Sequence, residues 1–62
     1  MYVTIYDVTV SPKRLVETNT PVREVRTHAD TVTVAYMWAG EVSYGASEFT
    51  VRVTPRPVTD GV

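Results

Sequence analysis

The stretch Thr31-Val32-Thr33-Val34-Ala35-Tyr36-Met37-Trp38-Ala39-Gly40-Glu41-Val42-Ser43-Tyr44 decides the fold. Every even position is apolar or glycine, and the odd positions are mostly small or polar. A repeat of two is the side-chain period of a β-strand. The alternation therefore predicts one continuous strand over 31–44 with Val32, Val34, Tyr36, Trp38 and Val42 on its buried face. Thirteen valines and ten threonines, against one isoleucine and one leucine, carry the β reading through the rest of the chain.

Working outward, His28-Ala29-Asp30-Thr31 reads as a tight reversal. It returns a strand over 22–28, with Thr27 opposite Val32, Val25 opposite Val34 and Arg23 opposite Tyr36. A slip of one residue would bury Glu24 and Arg26, so the register is well specified. On the other side, Gly45 as first central residue of Tyr44-Gly45-Ala46-Ser47 suits a type II′ hairpin turn. Pairing across it sets Val42 against Phe49, Gly40 against Val51 and Trp38 against Val53. The expected unit is a three-stranded meander of residues 22–28, 31–44 and 48–54. Gly40 would bend its central strand, and Pro55 and Pro57 would stop its last.

Residues 2–10 give a further strand, apolar on both faces, with Tyr2, Tyr6, Val8 and Val10 opposite Val3 and Ile5. Ser11 to Pro21 reads as a connection, with a helical turn or a loop at Leu15-Val16-Glu17 and a linker at Thr18–Pro21. Val58 to Val62 reads as a short edge strand or a tail. The fold class expected is all-β, a small antiparallel sheet or partly open SH3-like barrel of four to five strands. A chain of 62 residues is read as a single small domain, 1–62.

A domain of this size buries only about 60% of the surface its unfolded chain exposes. It contains no cysteine and one histidine, His28, which leaves neither a disulfide nor a structural zinc site to supplement the core. Self-association is the remaining device, and a homodimer is expected. The net charge of −1 attracts neither nucleic acid nor an anionic membrane. No apolar run reaches the roughly 18 residues of a membrane helix, and the first residues lack the pattern of a signal peptide. A cytoplasmic protein is expected. Five arginines to one lysine suggest a GC-rich genome, that of a bacterium or its phage.

No nucleophile elbow, phosphate loop or metal-ligand spacing is present. His28 and Asp30 flank a turn, where aspartate most often bonds its own backbone. No catalytic, metal or cofactor residue is assigned, and the chain is not expected to be an enzyme. Its expected role is a non-enzymatic module, of accessory or inhibitor type, that binds a protein partner or itself. Ala35, Met37 and Ala39 form an outward apolar stripe suited to such a contact, and Tyr2 and Tyr6 are added because tyrosine is enriched at interfaces. The first alternative is a nucleic-acid-binding small barrel using Arg26, Arg52 and Tyr44. Glu24, Glu41 and Glu48 share the outer face with those arginines and argue against it. The second alternative is a structural subunit of a larger assembly such as a phage particle.

Overall fold

In a computed structural model, residues 1–57 are described. Five strands follow in chain order: β1 Tyr2–Asp7, β2 Arg14–His28, β3 Thr31–Tyr36, β4 Glu41–Gly45 and β5 Phe49–Thr54. They form one open antiparallel sheet in the order β4-β3-β2-β1-β5. The fold is all-β, as the valine- and threonine-rich sequence implies. No helix among the described residues is long and apolar enough to cross a membrane.

The 15-residue strand β2 organises the sheet. Its first half pairs with β1 and its second half with β3, so one strand serves two half-sheets. Pro21 stands at the change of partner. Val22 N donates to Met1 O at 3.0 Å and Met37 N donates to Pro21 O at 3.4 Å. A proline is tolerated there because its missing N–H falls where the ladder switches. Register shifts interrupt β2 twice against β1 and once against β3. At the first, Thr18 and Asn19 oppose Thr4 alone. Asn19 takes φ 51°, a left-handed conformation that asparagine accepts more readily than most residues. Its N–H donates to Thr4 Oγ1 at 3.3 Å. Such bulges bend and twist a strand, which lets β2 pass from one half-sheet to the other.

The 31–44 stretch is two strands, not one. Tyr36 N donates to Gly40 O at 3.2 Å, closing a turn of Met37, Trp38 and Ala39. Val34 then lies opposite Val42 and Val32 opposite Tyr44. Even residues face even residues across the turn, so the alternation runs through it unbroken. Gly40 closes this turn and lies outside both strands, so it does not bend a strand, and a Cβ there would meet nothing within 4 Å. Strand β5 leaves β4 and pairs with β1, placing Phe49 opposite Asp7, Val51 opposite Ile5 and Val53 opposite Val3. The expected partners Val42, Gly40 and Trp38 are not used. Residues 14–21 are strand, neither helical turn nor linker. The His28–Thr31 reversal pairs Thr27 with Val32 and Val25 with Val34 as expected, but a bulge at Arg23 sets Val22 opposite Tyr36. The expected edge strand or tail, Val58–Val62, lies outside the described residues.

The core is Val3, Ile5, Val22 and Val34, with Val25, Val32, Tyr36, Tyr44, Phe49 and Val51 packed against it. Of the expected core, Trp38, Val42 and Val53 are exposed. Val42 and Val53 belong to the two outermost strands and have a neighbour on one side only. Every buried side-chain nitrogen or oxygen among the described residues has a hydrogen-bond partner.

Strand β1 ends at Asp7, whose Oδ1 accepts from Thr9 Oγ1 at 2.6 Å and Thr9 N at 2.9 Å. Arg14 Nη2 approaches Oδ2 at 3.3 Å. The Thr9 bonds, and then Arg14, hold this carboxyl below the 3.8 of a free aspartate, against the opposing effect of burial. A carboxyl depressed by folding contributes stability above its unfolded pKa and loses it as pH falls through the folded value. Asp7→Asn is therefore expected to lower the melting temperature at pH 6, with the gap to the parent closing toward pH 2. A gap that stays constant over that range would show that the Asp7 charge is not held by these donors.

Candidate protein-binding site

The turn between β3 and β4 carries the most exposed large apolar side chain of the described residues. Trp38 is 85% exposed, beside Met37 at 47%. Together with Ala39, Tyr36, and Thr20 and Pro21 of β2, they line a shallow groove of about 200 Å³. The switch at Pro21 creates this groove. There the Met37–Pro21 bond draws the turn against β2.

Tyr36 links the groove to the interior. Its ring lines the groove while its hydroxyl donates to Glu17 Oε1 at 2.5 Å. The Tyr44 hydroxyl lies 2.9 Å from that of Tyr36 and 3.1 Å from Glu17 Oε1. Glu17 faces inward because it sits opposite Ile5, so its carboxylate joins the β1 half-sheet to the two tyrosines of the β3–β4 half. The Tyr44 ring meets Phe49 edge-to-face with centroids 5.2 Å apart, which ties β4 to β5 although the strands do not pair. Burial first, and then the bond to Glu17, pushes the Tyr36 phenol well above its usual 10.0. Burial also raises Tyr44, partly offset by its hydroxyl contact with Tyr36. A phenol raised by folding contributes stability that is present below pH 10 and lost as pH rises past it, where the unfolded tyrosines ionise first. Tyr36→Phe should cost about 1.5–3 kcal/mol at neutral pH, the scale of one hydrogen bond to a charged acceptor. It should also flatten the alkaline decline in melting temperature. An unchanged alkaline slope would show that Tyr36 is not shifted.

The residues singled out from sequence are dispersed. Met37 and Ala39 lie in the groove. Ala35 is 1% exposed and offers no surface, because Glu24 and Glu41 flank it on the neighbouring strands. The expected Ala35/Met37/Ala39 stripe therefore does not exist as a flat strand face. Tyr2 lies opposite Pro21, close to the groove, whereas Tyr6 is four residues further along β1. Lys13 Nζ covers the Tyr6 ring at 4.4 Å from its centroid.

The nucleic-acid candidates do not converge. Arg26 is paired with Glu41 at 2.8 Å and Glu24 at 3.4 Å. Glu41 therefore partners Arg26. Arg52 stands on β5 opposite Thr4, and Tyr44 is turned inward against Phe49. Among the described residues no group of three His, Cys, Asp or Glu side chains could hold a metal ion.

Sequence reasoning missed Trp38, Pro21 and Tyr36 as site residues. The signal available was Gly40 followed by Glu41 on an otherwise apolar run, a turn cue that the unbroken alternation masked. No protein-family model, curated protein or solved structure matches the chain.

Proposed function

We propose that the chain is a non-enzymatic protein-binding module that receives part of a partner against Trp38 and the groove beside it. The observation that carries this reading is the exposure of Trp38, 85%, on the rim of an apolar groove. An indole left in water is a cost that a monomer gains nothing from, and tryptophan is among the residues that most often dominate binding energy at interfaces. Met37 beside it is flexible and adapts to varied partner surfaces. A cysteine-free chain fits a cytoplasmic setting.

Capture from nuclease-treated native-host lysate tests the proposal. The parent chain and Arg52→Ala, a control away from the groove, should retain a common protein partner that Trp38→Ala loses. Equal capture by all three would place binding elsewhere.

A second reading, self-association, is favoured by Val42 and Val53. They leave 44% and 43% of their surface exposed on the two outermost strands, and unpaired strand edges accept another strand. Sedimentation velocity should then show a dimer that Val42→Lys or Val53→Lys dissociates. A monomer at about 100 μM, far above a micromolar dissociation constant, would exclude it.

A further inference from the structure

The groove has a charged neighbour that its apolar lining does not use. Strand β2 carries three arginines, Arg14, Arg23 and Arg26. Arg14 is paired with Asp7, and Arg26 with Glu24 and Glu41. Arg23 makes no ion pair among the described residues. Its Nε donates to the backbone oxygen of Tyr36 at 3.1 Å, and Tyr36 is a wall of the groove. Arg23 is also the extra residue of the bulge that sets Val22 opposite Tyr36, so the backbone itself directs it to this rim. With Nε occupied, the two Nη groups remain, and a guanidinium presents such paired N–H groups to both oxygens of a carboxylate.

We propose that the groove accepts an extended partner segment in which an apolar residue is followed or preceded closely by aspartate or glutamate. The apolar side chain packs on Trp38, Met37 and Pro21, and the carboxylate is held by Arg23. In an extended segment residues advance about 3.3 Å each and side chains two positions apart share a face, so an acid two positions away lies on the same side as the docked apolar residue, about 7 Å along toward the rim. The inference rests on the groove being the binding site, and it adds the chemistry of what binds there.

Selection of a random-sequence peptide display library on the immobilised chain tests it, followed by fluorescence anisotropy on the enriched peptides. Trp38 and Arg23 are both exposed, and unchanged melting temperatures for Trp38→Ala and Arg23→Gln would confirm that both variants fold. The enriched peptides should place Asp or Glu within two residues of an apolar residue, and Trp38→Ala should weaken them at least about 10-fold. Arg23→Gln should weaken them about 2- to 5-fold, the range of an exposed ion pair. Replacing the peptide acid by its amide should cost the same and add nothing in the Arg23→Gln background. Peptides that need Trp38 yet show no acidic preference and ignore Arg23→Gln would overturn the inference and leave the groove standing. A selection with no Trp38-dependent peptide would overturn both. A dimer in sedimentation velocity that Trp38→Ala dissociates would make a second copy of the chain the occupant, and the inference would again be wrong.

Discussion

Val34→Asp is expected to unfold the chain, whereas Thr33→Asp, one residue earlier, leaves it folded. Val34 is fully buried at the centre of the β3 half-sheet, opposite Val25 on one side and Val42 on the other. An aspartate there has no cation within the core to meet it, and an unpaired buried charge costs several kcal/mol before it neutralises. A chain of 62 residues holds about 3–9 kcal/mol of stability in total, so that loss exceeds or matches what is available. Thr33 points to the opposite face and bonds Ser43 at 3.0 Å in an exposed position. Losing that bond costs about 1 kcal/mol or less, because water replaces it. Far-UV circular dichroism at room temperature separates the two outcomes. Two variants melting together would mean that the faces of β3 are wrongly assigned.

The second large effect falls on Ile5. It is fully buried, the largest side chain in that state, and β1 is held between β2 and β5 at this level by Glu17 and Val51. Ile5→Ala should cost about 2–5 kcal/mol, the lost transfer energy plus the cavity that closely paired strands cannot close. Ile5→Val, which removes one methylene, should cost about 0.5–1.5 kcal/mol. Urea titration gives both values. A loss below about 1 kcal/mol for Ile5→Ala would contradict the placing of β1 between β2 and β5 and with it the β1–β5 pairing.

The register of the His28–Thr31 reversal was legible because it is local. Two residues separate its strands, and only one alignment keeps Val25 and Val34 together on the inside. The β class was legible from composition for the same reason, since valine and threonine act residue by residue. The partner of β5 was not. Its pairing with β1 joins residues some fifty positions apart in sequence, and nothing local distinguishes Val51 opposite Ile5 from Val51 opposite Gly40. The extent of β2 was hidden by its own bulges. Each extra residue, Asn19 and Arg23 among them, flips the inside–outside alternation, so a strand from Arg14 to His28 reads as broken. The opposite error occurred at Met37–Ala39, where a turn that preserves parity made two strands look like one. That single misreading assigned Trp38 to the core and left the groove unseen, although Met37 and Ala39 were noted as apolar surface.

The exposure of Trp38 supports both the β3–β4 turn and the binding site, and the chain contains one tryptophan, so its fluorescence reports on that residue alone. Acrylamide quenching of the native chain, set against the same chain in concentrated urea, is the direct measurement. A turn-borne Trp38 predicts a native quenching constant close to that of the unfolded chain and little shift in emission on unfolding. A native tryptophan several-fold more protected than the unfolded one, with emission moving to the red as the chain unfolds, would contradict the account and return Trp38 to the core.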